Sequence, residues 1–180
     1  RFHWLDQGEH YLSTARLEPY KRVDLIVHAF LRMPEKKLVV ASGGSELEKL
    51  RRVADGADNI RFTGWVEEAE LQELTGRCIA TLYMARDEDF GMSPVESMAA
   101  GKPVIGVAEG GLKETIVDGE TGLLLPPDPG VEAIVAAVES LTPKRAAEMR
   151  PACEERAEQF NRAAFLPGLR QAIAQAEEGS

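Results

Sequence analysis

Glycine-rich phosphate motifs are missing where this sequence would most need one. No Gly-x-Gly-x-x-Gly follows its first strand-like run, so the dinucleotide fingerprint of a dehydrogenase is absent. Cysteine is scarce: Cys78 lies in an apolar strand-like run and Cys153 in a helix-like run, without metal-ligand spacing. Both read as free thiols of a reducing, cytoplasmic compartment rather than as a disulfide. The three histidines form no pair at ligand spacing and no Ser-His-Asp set. His3 and His10 lie near an end expected to fray, and His28 beside a helix's apolar stripe, so structural roles are expected for all three. Long apolar runs are absent, and no signal-peptide layout opens the chain. Positive charge is in deficit: the net charge of −9 argues against nucleic acid, whose phosphates select basic faces. A small anionic ligand needs only a local basic patch and stays compatible.

What is present suits one domain. A length of 180 residues with 44% hydrophobic content supports a single sizeable core and leaves little room for two. The chain opens at Arg1 without a methionine and is expected to be part of a longer protein. Apolar, strand-like runs at 11–15, 38–41, 60–63, 79–83, 104–107 and 122–125 alternate with amphipathic stretches. Helices are expected over about 21–33, from after Gly44 to about 54, over 67–75 and over 94–100, with a short helical turn after Gly111. From about Gly130 onward everything reads helical, with breaks near Pro143 and Asn161. Six strands with intervening helices predict an α/β domain, a parallel sheet wrapped on both faces. Ligands of such sheets lie outside the carboxyl ends of the strands. Function should therefore lie in the loops after Ala15, Ala41, Thr63, Tyr83 and Val107.

Two cations stand in the first of these loops, Arg16 at the strand end and Lys21 at the expected helix start. A guanidinium offers a fork to phosphate oxygens and an ammonium adds a point charge. Together they suit a diphosphate whose charge grows as it leaves, although solvated surface charges would look the same in sequence. The fourth loop carries Asp87-Glu88-Asp89-Phe90-Gly91-Met92-Ser93-Pro94-Val95-Glu96. Here Ser93 is a natural N-cap, Pro94 fits the first helical position and Glu96 the third, a capping box that would give Glu96 a purely structural explanation. That box leaves Gly91 unexplained, since glycine lets a ligand approach amides at a helix N-terminus, and it leaves Glu88 and Phe90 unexplained beside them. Gly110-Gly111, Asp118-Gly119 and Gly43-Gly44 mark turns and carry little chemistry alone. Gly64-Trp65-Val66 could present backbone to a base, but Trp65 is expected to fill the core.

Taken in this order, the residues resemble the C-terminal domain of the retaining, GT-B-fold glycosyltransferases often called glycosyltransferase family 4, or group 1. One signature reads Ser13-Thr14-Ala15-Arg16-Leu17 with Lys21-Arg22 and Asp24. A Glu-x7-Glu signature runs from Glu88 to Glu96 and continues Ser97-Met98-Ala99-Ala100-Gly101-Lys102-Pro103-Val104. A third joins Gly110-Gly111 to Glu114 and Asp118-Gly119. Any one is weak, whereas three in order are specific. The Glu-Asp-Phe-Gly variant with its Pro-Val-Glu helix entry looks most like mannosyltransferases of bacterial and archaeal surface-polysaccharide clusters. The resemblance implies a Rossmann-like three-layer domain, the C-terminal half of a GT-B fold, binding a nucleoside-diphosphate sugar such as GDP-mannose. It implies that Arg16 and Lys21 hold the diphosphate and stabilise its departure, and that Glu88 accepts bonds from the sugar hydroxyls. Phe90, Gly91 and Met92 would offer amides, Glu96 would bind ribose, the Val66 backbone would touch the base, and Gly43 would line the donor site. Retaining transfer without a metal or other cofactor is implied, to a saccharide or lipid-linked acceptor in polysaccharide or glycoconjugate biosynthesis. The intact enzyme would then be cytoplasmic, working at a membrane surface where the acceptor is lipid-linked.

The resemblance also implies an absent N-terminal domain. Residues 1–180 would be one nucleotide-sugar-binding domain, with 162–177 a helix packing toward that absent half, and the isolated chain is expected to be inactive. Two further enzyme classes share the fold, nucleotide-sugar epimerases and phosphorylases, the latter marked by pyridoxal phosphate. A non-catalytic nucleotide-binding or docking module is the other class, with acidic helices over 131–141 and 144–160 as its face. Such a module has no need of Arg16, Lys21, Glu88 and Glu96 together.

Overall fold

The structure, a computed structural model, describes residues 2–86 and 91–160. Six strands form one sheet: β1 His10–Ser13, β2 Lys37–Val40, β3 Ile60–Phe62, β4 Thr81–Tyr83, β5 Val104–Val107 and β6 Gly122–Leu125. Their order is β3-β2-β1-β4-β5-β6, every pair parallel. The expected parallel α/β sheet is therefore present, doubly wound about a switch point between β1 and β4. The helices are α1 Val23–Leu31, α2 Leu47–Val53, α3 Glu68–Arg77, α4 Met92–Ala99, α5 Leu112–Thr115, α6 Val131–Ser140, α7 Pro143–Glu148 and α8 Arg150–Glu158.

The strands read as unbroken apolar runs because both faces of the sheet are covered. Along β1 and β2 the side chains alternate: Tyr11, Leu38 and Val40 join the main core with Phe30 and Ile26 of α1. Leu12, Val39 and Ala41 face the other way, onto Leu74 and Cys78 at the end of α3. Tyr11 meets Phe30 edge-on at 5.6 Å and donates its hydroxyl to the Leu141 carbonyl at 2.9 Å, fastening β1 to the end of α6. Cys78 and Cys153 are buried free thiols, pushed up to about 12 by that burial.

Several boundaries differ from those expected. The helix expected over 21–33 is split: a 3-10 turn over Pro19–Lys21 is followed by Arg22 in the left-handed region, φ 51°, before α1 starts at Val23. The break near Pro143 is present, with the Thr142 hydroxyl capping α7 by accepting from the Arg145 amide. A further break at Met149 separates α7 from α8. His10 lies in β1 rather than in a frayed end. Its Nε2 lies 3.1 Å from the Leu74 carbonyl oxygen, and burial lowers its pKa, which bears out a structural role. The break near Asn161 and the helix expected over 162–177 lie outside the described residues.

Candidate functional site

The loop after β1 is interlocked with the loop after β2. Leu17, fully buried, donates its amide to the Gly43 carbonyl at 3.0 Å and accepts from the Glu46 amide at 2.9 Å. A Cβ on Gly44, φ +153°, would lie 2.4 Å from the Leu17 carbonyl oxygen, so only glycine permits the crossing. Glu18 adds a side-chain clasp, accepting from the Ser45 hydroxyl at 2.7 Å, which lowers its pKa. Arg16 is thereby fixed at an exposed position beside Gly43.

The 3-10 turn then returns Lys21 over the same mouth, its ammonium 5.0 Å from the Tyr20 ring centre. The next residue turns inward. Arg22 is buried and donates from Nε to the Met84 carbonyl at 2.5 Å and from Nη2 to the Pro127 carbonyl at 2.9 Å. Its Nη1 reaches Asp128 at 3.0 Å, and Glu109 lies 3.7 Å away. One side chain thus ties together the loops after β1, β4, β5 and β6. Adjacent Lys21 and Arg22 are equally basic in sequence, and the left-handed backbone at Arg22 decides which of them points inward.

Across the switch point, Thr14 shares a 2.6 Å hydrogen bond with the Tyr83 hydroxyl, whose pKa burial pushes up to about 12. Gly91, φ +80°, is the N-cap of α4, a backbone conformation that favours glycine. The expected capping box is therefore absent. The helix starts at Met92, Ser93 lies inside it and caps nothing by its side chain, and its carbonyl accepts from Ser97 at 2.9 Å. The first amides of a helix have no intrahelical partner, Pro94 carries no N–H, and those of Met92 and Ser93 have no partner among the described residues. Arg16, Lys21, Tyr83, Gly91, Met92 and Ser93 help line a cavity of about 300 Å³ at this point. Wider, more open grooves lie beside α8 (680 Å³, at Phe2 and Glu155) and at Tyr20 and Asp128 (640 Å³). No lysine or arginine lines the first, and the two arginines of the second, Arg22 and Arg86, are both paired with Asp128, so the switch-point cavity is where cations converge with a helix start without that carboxylate between them.

Glu96 falls one turn into α4, half-buried, and lines a small adjoining void with Thr14, Tyr83 and Ser93. Burial raises its pKa, with a smaller contribution from Glu68. Without a capping box, its structural explanation is gone. Val66 is half-buried against the cluster of Leu12 and Leu74. Trp65 is not in the core: it is 69% exposed, because Gly64, φ +73°, swings it over Gly43 toward Arg16. Asp118 is a turn residue, accepting from the Leu124 amide at 2.9 Å. Glu88 and Phe90 lie outside the described residues. Among the described residues no cluster of metal-ligating side chains occurs, and no helix is long and apolar enough to cross a membrane.

A doubly wound parallel sheet with an anion-suited cavity at its switch point defines a Rossmann-like domain of the GT-B kind. Residues 4–160 match the family model described as glycosyl transferases group 1, and the chain belongs to that family. It is 32% identical over 147 residues to alpha-1,3/1,6-mannosyltransferase ALG2 of Dictyostelium discoideum, covering 68% of this chain and 35% of that protein. It is also 32% identical over 154 residues to a GDP-mannose-dependent alpha-(1-6)-phosphatidylinositol monomannoside mannosyltransferase of Mycolicibacterium smegmatis, covering 77% and 40%. Sucrose-phosphate synthase from Thermosynechococcus elongatus superposes with a TM-score of 0.84 at 26% identity, over 99% of this chain and 50% of that one. The chain thus spans well under half the length of the curated relatives it matches.

Proposed function

We propose that this chain is the donor-binding, C-terminal domain of a retaining glycosyltransferase, and that its ligand is a nucleoside-diphosphate sugar. The observation that carries the reading is the convergence of Arg16, Lys21 and the start of α4 on one cavity. A diphosphate there meets a guanidinium fork, an ammonium and the positive end of a helix, which together stabilise the charge of a departing nucleoside diphosphate. Such an arrangement supplies by itself the neutralisation that a divalent ion would otherwise provide, and binding is proposed to be metal-independent. Phe90, Gly91 and Met92 are assigned to offer backbone amides to the sugar or phosphate. Glu96, half-buried behind Ser93, is the acceptor for ribose hydroxyls, and Glu88 for those of the sugar. Gly43 and the Val66 backbone border the side from which the base approaches. The mannosyltransferases among the relatives favour GDP-mannose as donor, and a saccharide or lipid-linked acceptor in glycoconjugate synthesis. Acceptor contacts are assigned to a second domain facing this cavity, so the chain alone is expected to bind donor without transferring sugar.

Calorimetry with GDP-mannose, UDP-glucose, GDP, UDP and the nucleosides tests the reading. A selective binder names the donor, and EDTA should leave its affinity unchanged. Arg16→Ala and Lys21→Ala should each weaken nucleoside diphosphate far more than nucleoside. Equal losses for both ligands, or no nucleotide binding at all, would overturn the assignment.

A further inference from the structure

The loop after β3 reaches across the loop after β2 to touch the loop after β1. Gly64 makes the turn, the Thr63 hydroxyl holds it by donating to the Gly64 carbonyl at 2.9 Å, and Trp65 is carried back over the strand ends. Its indole rests on Gly43 so closely that a Cβ there would lie 2.5 Å from Nε1 and 2.8 Å from Cε2. Gly43 in turn accepts the Leu17 amide at 3.0 Å, which places Arg16 alongside. The Arg16 guanidinium carbon lies 5.8 Å from the centre of the Trp65 ring, within the range of cation–π attraction.

An exposed arginine samples many rotamers, and ordering one on binding opposes affinity. A carboxylate could hold it still, but would occupy the N–H fork and repel a phosphate. An aromatic face steadies the planar cation and leaves its in-plane donors available. No carboxylate pairs with Arg16 within 4.0 Å among the described residues, whereas Arg22, six residues on, is held by two. Trp65 is exposed well beyond what packing requires of a tryptophan.

We infer that Trp65 is the positioning residue for Arg16, holding the guanidinium at the cavity mouth with its fork directed to a diphosphate, and that Gly43 is the seat that admits the indole. The inference rests on the proposed function, and concerns how that site selects diphosphate over nucleoside.

The test is calorimetry of Trp65→Leu, Trp65→Phe and Gly43→Ala with inorganic pyrophosphate, and with GDP and UDP each beside its nucleoside. Trp65→Leu should weaken pyrophosphate and nucleoside diphosphate about three- to tenfold, the scale of an exposed cation–π contact with its ordering effect. Nucleoside affinity should stay put. Trp65→Phe should restore most of the loss, and Gly43→Ala, read with pyrophosphate because that ligand has no base to meet Gly43, should reproduce it by displacing the indole. In an Arg16→Ala background Trp65→Leu should add nothing, since both act through one group. Addition of pyrophosphate should also change tryptophan emission, and Trp65→Phe should abolish that change. Unaltered melting temperatures confirm that the variants fold. Equal losses for nucleoside and diphosphate would assign Trp65 to the base and overturn the inference, as would additive effects of the two substitutions. If Arg16→Ala loses diphosphate selectively while Trp65→Leu matches wild type, only this inference falls. If the unaltered chain binds neither pyrophosphate nor nucleotide, the proposed function falls and this inference with it.

Discussion

Two tryptophans meet cations at opposite ends of the same sheet. At the carboxyl ends, Trp65 and Arg16 are exposed and 5.8 Å apart. At the amino ends, Trp4 is half-buried with the Lys102 ammonium 3.3 Å and the Arg150 guanidinium 4.7 Å from its ring centre. Lys102 is fully buried, and its amine has no hydrogen-bond partner. Gly101, φ +69°, makes room, since a Cβ there would lie 2.8 Å from Arg150 Cγ and 3.1 Å from Trp4. The pairing is similar, but burial separates the consequences. The amino-end cluster holds the first segment of the chain against the turn before β5 and the start of α8. The carboxyl-end pair holds no elements together by burial and leaves a cation beside a cavity.

The largest expected difference is in stability. Trp4→Ala should destabilise by about 2–4 kcal/mol, below the full cost of removing a buried tryptophan because Trp4 is half-exposed. Trp65→Ala should stay within about 0.5 kcal/mol of wild type. Equal shifts in denaturant midpoint would erase the contrast between the two ends.

Next is a split between neighbouring arginines of one loop. Arg16→Ala should lower nucleoside diphosphate affinity by about 1.5–3 kcal/mol and leave melting unchanged. Arg22→Ala should do the reverse, reducing stability by about 2–3 kcal/mol as the Met84 and Pro127 carbonyls lose a charged donor. Affinity in Arg22→Ala should be read well below its lowered melting temperature.

The third expectation is a pH dependence specific to the buried end. Burial pushes the Lys102 ammonium down to about 8 from 10.5. Below pH 8 folded and unfolded chains both carry the proton, and folding must bury the charge. Between about pH 8 and 10.5 the unfolded chain holds a proton that the folded one has released, so this group's contribution makes stability rise with pH. The thiols of Cys78 and Cys153, held up at about 12 from 9.0, act in the opposite sense above pH 9. Denaturation of wild type and Lys102→Met across pH 7–10 removes that background. The wild type should gain on the variant through the window, and a constant difference would show that the amine is not titrating there.

The smallest effect concerns Glu96. Lacking a cap to support, Glu96→Gln should change stability by less than about 0.5 kcal/mol at pH 7, in the direction of a slight gain because a half-buried carboxylate is relieved. Nucleoside diphosphate and its sugar conjugate should weaken alike by about 1 kcal/mol if ribose is its ligand. A marked loss of stability with intact affinity would restore a structural role.

Arg16, Lys21, Gly91 and Met92 were legible as a set because strand-end loops of a parallel sheet converge, and the sheet itself was legible from six apolar runs. Ser93 misled, since Ser-Pro-x-Glu fits a capping box in sequence, but the left-handed Gly91 starts the helix one turn-fraction earlier and withdraws the hydroxyl. Trp65 misled for a related reason: size and apolarity suggest core, and the φ of Gly64 sends it outward.

The sequence by itself determined the strand and helix alternation, the parallel class of the sheet and the family, because these follow from local periodicity and ordered motifs. Tertiary structure alone decided which of two adjacent cations turns inward at Arg22, and that Lys102 is buried against Trp4. It also decided that Trp65 crosses two loops to reach Arg16. Those outcomes depend on backbone φ at single residues and on contacts between segments about 50 to 100 residues apart, where no local pattern carries the information.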